Sequence, residues 1–159
     1  MTQAELLIQL PIMLFIGMVM SGGSKKITVN FSGDLITPIL EGVFAFSSSD
    51  LWLVGSLPIH GDGENWIMYD LRTTVDPNLS LSKAWGMSSD NIYFVGRNGS
   101  MALYNKNQWS KIETGTDINF RDIYGSVNKD NSEVEIIALA SNSGINQRKQ
   151  IVRIKDQAV

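Results

Sequence analysis

Short apolar runs bounded by Gly, Asn, Asp and Ser follow one another along the chain, and one of them is repeated. The segment Ser47-Ser-Ser-Asp-Leu-Trp-Leu-Val-Gly55 recurs forty-one residues later as Ser88-Ser-Asp-Asn-Ile-Tyr-Phe-Val-Gly96. A Trp follows each copy, and Trp66 and Trp109 are forty-three residues apart. Such runs predict short strands. A period in the low forties built from strands is typical of a β-propeller, in which one repeat forms one four-stranded blade.

The spacing predicts strands in three repeats. They cover residues 40–46, 51–55, 57–61 and 66–71, then 83–86, 92–96, 100–104 and 108–114, and finally 120–125, 133–140 and 150–154. No stretch has helical periodicity, so the chain is predicted to be all-β. Projecting the period backwards places a turn at residues 21–24, between strands predicted at residues 14–20 and 25–30 of an earlier blade.

The predicted domain organisation is a single β-propeller domain or fragment over residues 1–159, with blades at about 1–38, 39–80, 81–117 and 118–159. The first and last blades lack strands, so the prediction amounts to about three to four blades, whereas closed propellers have roughly four to eight. Two explanations remain open. Either flanking blades are missing, which we favour, or incomplete blades or several copies of the chain combine into a ring.

The apolar residues 6–20 admit three interpretations. The run is short for a membrane span, which needs about twenty residues. A signal peptide would carry a basic region before the apolar core, but Glu5 lies there and Lys25 follows the core. We therefore interpret the run as part of the earlier blade and predict no stable membrane span.

Composition excludes several function classes. The chain has 159 residues with a formal net charge of −3, and its thirteen basic residues form no cluster longer than Lys25-Lys26. Nucleic acid is therefore not an expected partner. The absence of Cys and the single His60 exclude thiolate sites and sites that need two imidazoles.

One candidate metal site is visible in the sequence. A strand through His60, Asp62 and Glu64 would project all three side chains to one face, where they could bind a divalent cation. Asp62-Gly63 is also a favoured hairpin turn, in the position that Asn105-Lys106 occupies in the next repeat. We favour the turn, and we predict no metal, no cofactor and no catalytic residue.

Polar and aromatic residues that recur with the repeat each admit a functional and a structural interpretation. Asp50 and Asp122 could supply carboxylates for glycoside chemistry, but their periodic placement, with Asn91 at the position that matches Asp50, favours capping of turns. The aromatic residues could form a sugar-binding rim, but period-matched aromatics favour packing between blades. They are Trp52 with Tyr93, Phe44 with Trp85, and Trp66 with Trp109, beside the unmatched Tyr69 and Phe120.

Several segments resemble a group of bacterial exported propeller proteins. They are Gly86-Met-Ser-Ser-Asp-Asn-Ile-Tyr-Phe-Val-Gly96, Asn98-Gly-Ser100, Tyr104-Asn105, Trp109-Ser-Lys-Ile-Glu-Thr-Gly-Thr116 and Arg121-Asp-Ile-Tyr-Gly125, together with Phe44-Ala-Phe-Ser47, Leu51-Trp-Leu53 and Pro58-Ile-His-Gly-Asp-Gly-Glu-Asn-Trp66. The resemblance covers about residues 39–125. It implies a propeller fold and an extracellular or cell-envelope location. Some members carry a glucosyltransferase label, but no catalytic residues are established for the group.

The function that these features favour is a non-catalytic module that binds a protein or a glycan at the bacterial envelope or outside the cell. Residues 128–132 and 142–148 lengthen the turns of the third repeat and are the predicted contact loops. The alternative is a carbohydrate-active enzyme, a glycosidase or glycosyltransferase, that uses the non-periodic acids Glu41, Asp76 and Asp117. A structural repeat array without a ligand is the third hypothesis.

Overall fold

The computed structural model describes residues 23–128, 133–143 and 147–157. These residues form thirteen strands and one helical turn. The strands are β1 Val29–Phe31, β2 Asp34–Ile36, β3 Gly42–Ser47, β4 Asp50–Gly55, β5 Leu57–Gly61, β6 Trp66–Met68, β7 Leu81–Ser88, β8 Asn91–Gly96, β9 Met101–Asn105, β10 Gln108–Lys111, β11 Phe120–Val127, β12 Glu133–Ser141 and β13 Lys149–Gln157, and the helix is α1 Leu71–Thr74. The all-β prediction is confirmed.

The strands form three sheets, which we number in chain order. Sheet 1 has the order β2-β1-β6-β5-β4-β3, sheet 2 the order β10-β9-β8-β7, and sheet 3 the order β11-β12-β13. Successive strands from β3 to β6, from β7 to β10 and from β11 to β13 pair antiparallel, as simple meanders. Within the described ranges none of the sheets closes on itself.

Successive side chains of a strand point to opposite faces of its sheet. In sheet 2 both sets are mostly apolar, so the sheet is packed on both faces. On one face Phe94 and Tyr104 meet Trp52 of sheet 1. On the other face Tyr93 and Met101 meet the inner face of sheet 3. A third cluster covers part of the far face of sheet 1, where Val29 packs on Leu53 and Ile59. The sheets are therefore stacked as layers with sheet 2 in the middle.

The N-terminal strand differs from its prediction. In place of the strand expected at residues 25–30, the structure has the shorter and later strand β1. This strand pairs antiparallel with β2, and it also pairs parallel with β6 through Asn30 and Ile67. Its expected partner at residues 14–20 lies outside the described residues, as does the whole apolar run 6–20. No helix in the described part of the chain has the length and apolar character needed to cross a membrane.

The predicted strand at residues 66–71 is wrong at its end, since β6 stops at Met68 and α1 begins at Leu71. The hydroxyl groups of Thr73 and Thr74 donate to the carbonyl of Asp70, at 3.1 and 2.9 Å, and support the turn. One turn of helix is too short to leave a periodic pattern in the sequence.

The two predicted hairpin turns are also not alike. The β9–β10 turn has Lys106 and Asn107 at its centre, both with positive φ, so it is a two-residue turn one position later than predicted. The β5–β6 connection instead has four residues between the paired Gly61 and Trp66. The side chain of Asp62 closes it by accepting hydrogen bonds from the backbone, and this side-chain bonding widens the turn.

Candidate functional site

A polar cleft lies where the segment after α1, the β8–β9 turn and the end of β10 with the segment after it meet. Its volume is about 450 Å³, within the range of small-molecule sites. The polar residues that line it are Asp76, Asn78, Asn98, Ser100, Lys111, Glu113, Thr114, Thr116 and Asp117. The cleft therefore presents amide, hydroxyl and carboxylate groups from three separate segments.

Side-chain hydrogen bonds to the backbone hold the walls of the cleft. Asp76 accepts from the backbone N–H of Asn78 at 2.7 Å, which fixes the bend after α1. The hydroxyl of Thr114 donates to the carbonyl of Gly99 at 2.9 Å and ties two walls together. β10 ends at Lys111, three residues earlier than predicted, and Thr114 beyond it bonds to the backbone through its side chain.

The cationic Lys111 sits between two acids in the cleft. Its Nζ lies 2.9 Å from the carboxylate of Asp76 and 2.8 Å from that of Glu113. The hydrogen bonds that Lys111 donates to these carboxylates raise its pKa, and the bond to Glu113 has the larger effect. The bond from Lys111 in turn lowers the pKa of Asp76. Both partners therefore stay charged at neutral pH.

Asp117 at the rim of the cleft pairs with Arg148. The guanidinium lies 2.9 Å from the Asp117 carboxylate and lowers the pKa of that carboxyl group. Arg148 belongs to the connection between β12 and β13, one of the two predicted contact loops. The pair links this loop to the cleft.

The other predicted loop lies elsewhere. Residues 128–132 connect β11 to β12, and residues 142–148 connect β12 to β13, so the two loops are at opposite ends of the nine-residue β12. Successive turns of an antiparallel meander alternate between the two ends of the sheet. Residues 129–132 and 144–146 are outside the described residues.

An apolar depression of about 330 Å³ lies beside the cleft. Tyr69 and Trp109 line it together with Val75, which directly precedes Asp76 of the cleft. The two rings are 5.2 Å apart. Burial, followed by the neighbouring Tyr104, raises the pKa of Tyr69 to about 12, so its hydroxyl stays protonated. Polar groups and an aromatic surface thus lie next to each other.

The three residues of the candidate metal site do not converge. His60 Nε2 lies 2.9 Å from Asp50 and its ring stacks on Trp52. Asp62 binds the backbone of its own turn, and Glu64 pairs with Lys25. Within residues 23–128, 133–143 and 147–157, no three His, Asp or Glu side chains are grouped so that they could hold a metal ion.

The predicted turn-capping role of Asp50 is wrong. Its Oδ1 accepts a hydrogen bond from Ser89 at 2.8 Å and lies 2.9 Å from His60 Nε2. Asp50 therefore links sheet 1 to the β7–β8 turn of sheet 2. At the matching position, Asn91 Oδ1 is buried without a hydrogen-bond partner among the described residues. Asp122 does bond to the backbone locally, to the N–H of Ile123.

Asp50, His60 and Ser89 are the residue types of a hydrolytic triad, but their arrangement is different. In a triad the serine hydroxyl bonds to the histidine, which the aspartate orients from its other side. Here Ser89 and His60 both bond to the same oxygen of Asp50. The serine is bound to the acid rather than to a base, so the cluster is a structural link.

Five of the six period-matched aromatic residues pack between sheets, as predicted, whereas Trp66 packs on the far face of sheet 1. Trp52 and Phe44 lie in the core between sheets 1 and 2, and Tyr93 and Trp85 in the core between sheets 2 and 3. Trp109 and Tyr69 pack on the first core, Phe120 is buried in the second, and Trp66 packs under sheet 1. Of these rings, Tyr69 and Trp109 also face the depression.

Two of the three non-periodic acids share the cleft. Asp76 and Asp117 both line it, whereas Glu41 pairs with Arg97 at 3.0 Å outside the cleft. Sequence reasoning missed Lys111 and Arg148, the partners that hold the two acids. The repeat carries no signal for them, because each pairing joins positions at least thirty-one residues apart in the chain.

No family model matches the chain, and no curated protein or solved structure matches it either.

Proposed function

We propose that the chain is a non-catalytic binding module on a β-propeller scaffold, and that it recognises a glycan or protein ligand at the bacterial envelope or outside the cell. The observation that carries the proposal is the polar cleft of about 450 Å³ whose acids are paired with cations. The location rests on the resemblance of residues 39–125 to exported proteins.

The stacking of the sheets supports the propeller part of the proposal. Blades of a propeller are antiparallel meanders that pack face to face around an axis. Here β7 to β10 form one such meander, and β3 to β6 form another within sheet 1. Phe44 and Trp52 occupy the first interface of the stack, and the period-matched Trp85 and Tyr93 occupy the second.

A glycan is the ligand class that the cleft favours. Sugars offer many hydroxyl groups, and the amides of Asn78 and Asn98 and the carboxylate of Glu113 can donate to or accept from them. Sugar rings also stack on aromatic faces, and the depression with Tyr69 and Trp109 lies beside the polar groups.

The alternative of a carbohydrate-active enzyme has one observation in its favour, which is that Asp76 and Asp117 share the cleft. A glycosidase needs one acid that stays protonated near neutral pH so that it can donate to the leaving group. Hydrogen bonds from Lys111 and Arg148 lower the pKa of both acids instead. The arrangement therefore favours binding over proton transfer.

An array of envelope glycans, including soluble peptidoglycan fragments, tests the proposal when it is combined with an assay for hydrolysis. We expect binding without turnover. Glu113→Trp fills the cleft and should weaken binding by about tenfold or more, since several contacts are lost together. Glu64→Trp is the matched control, because Glu64 is 80% exposed against 81% for Glu113 and also pairs with a lysine.

Two outcomes would count against the proposal. If Glu113→Trp and Glu64→Trp bound every glycan equally well, the cleft would not be the binding site. If hydrolysis were measured and were lost in Asp76→Asn or Asp117→Asn, the enzyme hypothesis would replace the binding module.

A further inference from the structure

The outer face of sheet 3 exposes apolar side chains that have no covering layer among the described residues. Tyr124 on β11 is 71% exposed, and Ile137, Leu139 and Ile151 beside it are exposed as well. Tyr124 lies directly opposite Ile137, and Leu139 opposite Ile151, so the four side chains form one patch. A contiguous apolar patch of this kind marks an interaction surface.

The repeat shows what such a face does elsewhere in the chain. The cross-strand pair of Tyr124 and Ile137 corresponds to Phe44 with Trp52 in sheet 1 and to Trp85 with Tyr93 in sheet 2, and in each sheet the first ring directly precedes Gly or Ala. Both of those pairs are covered by the next sheet of the stack. Tyr124 and Ile137 are the third instance of the pair.

The first strand of the following sheet forms part of the covering layer, beside residues such as Phe94 and Tyr104 that cover Trp52. β7 approaches β3 and β4, and β11 approaches β7 and β8. A glycine on that strand makes room for the ring in sheet 3, where a Cβ on Gly125 would lie 2.5 Å from the ring of Trp85. A Cβ on Gly86 would lie 3.0 Å from the ring of Phe46, the neighbour of Phe44 on the same face, and closer still to Ile92 and Asn91 of its own sheet. The surface that fits Tyr124 is therefore a first strand with a small residue at this position.

The first strand of sheet 1, β3, has a free surface of that type. Val43 is 67% exposed, and the small Ala45, at the position of Gly86 and Gly125, is exposed beside it. The residues that correspond to Val43 in sheets 2 and 3, Ala84 and Ile123, pack against the preceding sheet. Among the described residues, the outer face of sheet 3 and the exposed side of β3 in sheet 1 thus both lack a covering layer.

We propose that a second copy of the chain supplies the missing layer, with Tyr124 and Ile137 of one copy packed on Val43 and Ala45 of the other. The contact continues an interface that the chain already uses twice, between sheets 1 and 2 and between sheets 2 and 3. It is heterologous, so copies close into a ring or extend as an array. A ring of two copies contains twice the three sheets of one chain, which falls within the roughly four to eight blades of known propellers.

The experiment is the mass of the full chain in solution, measured by sedimentation velocity over a range of concentrations up to about 100 µM, where specific interfaces are populated. We expect the wild-type chain to associate. Tyr124→Glu places a charge in the apolar patch of sheet 3, and Val43→Glu places one on the exposed side of β3. Each change disrupts one half of the contact, so each variant alone should be a monomer. Mixed together, the two variants retain one intact contact between them and should form a species of two chains and no larger one.

Ile67→Glu is the control, because Ile67 is 64% exposed but lies on β6, away from both surfaces. It should associate like the wild type. The two-chain species in the mixture also shows that both variants are folded. A wild-type chain that stays monomeric at every concentration would overturn the proposal, and the missing layer would then belong to another polypeptide segment. Association that survives in Val43→Glu but not in Tyr124→Glu would also overturn it, in favour of two copies of sheet 3 packed on each other.

Discussion

Asp50 shows how a single carboxylate can join elements that are distant in sequence. It begins β4 of sheet 1, and it bonds to His60 on β5 and to Ser89 in the β7–β8 turn of sheet 2. The indole N–H of Trp52 also donates to Ser89, at 3.3 Å. The carboxylate, the hydroxyl and the indole therefore form one polar link at the edge of an otherwise apolar interface. A partly buried network of this kind contributes to stability only while its members are satisfied.

We predict that Asp50→Ala destabilises the chain by about 1–3 kcal/mol, since it removes a charged acceptor from two donors. Asp34→Ala, an aspartate on the exposed strand β2, is the control and should cost well under that amount. Urea unfolding followed by tryptophan fluorescence measures both variants. Equal stabilities of the two would show that the link contributes nothing.

The pH dependence of the β5–β6 turn rests on Asp62. Hydrogen bonds from the backbone and side chain of Asn65, and then from the backbone of Glu64, lower its pKa from 3.8 to about 2. Because the folded pKa is below the unfolded value, this turn contributes stability above pH 4 or so that is lost as the pH falls towards 2. A carboxyl-detected NMR titration should give a midpoint near 2 for Asp62.

Asn65→Ala is the informative variant for that titration. It removes the side-chain amide but keeps the backbone N–H, so the midpoint of Asp62 should rise only part of the way. A midpoint near 3.8 in the wild-type protein would contradict the role of the turn.

At the scale of strands, the sequence predicts the positions of most strands but few of the contacts that build the cleft. The strands of sheet 2 are found close to their predicted places because apolar residues alternate or cluster there between turn residues. The cleft is built from the segment after α1, the β8–β9 turn and the segment after β10, where the alternation stops and side chains bond to the backbone. Pairings such as Asp117 with Arg148 depend on how the sheets stack, and no local pattern contains that information.

Two glycines in the wall of the cleft have the same backbone conformation but different surroundings, so a substitution at one is a control for the other. Gly99 and Gly115 both have positive φ, 69° and 68°. A Cβ at Gly99 would collide with the carbonyl oxygen of Thr116, whereas a Cβ at Gly115 would meet nothing within 4 Å. Gly115→Ala should therefore cost about 1–2 kcal/mol from backbone strain alone, and Gly99→Ala clearly more.

Chemical denaturation compares the two variants, and glycan binding gives a second readout. Gly99→Ala should also weaken binding, since the Thr116 segment that must move lines the cleft. If both variants lost the same stability, the close approach of Gly99 to Thr116 would have no energetic consequence.

For the whole molecule, the stack implies an uneven distribution of stability. Sheet 2 is covered on both faces, and β8 within it is hydrogen-bonded on both sides and almost entirely buried. Among the described strands, β13 is bonded on one side only, to β12, and it belongs to the sheet whose outer face those strands leave uncovered. Local opening requires the least free energy where few apolar contacts must be broken.

Hydrogen exchange followed by mass spectrometry should therefore show β8 as the most protected strand, with β13 exchanging faster by about two orders of magnitude or more. Equal rates in β8 and β13 would mean that the stack opens only as one unit, and the layered description of its stability would be wrong. Protein concentration adds a second test. If a second copy covers Tyr124 and Ile137, protection of β11 and β12 should rise with concentration while that of β8, already enclosed by both neighbours, should not change.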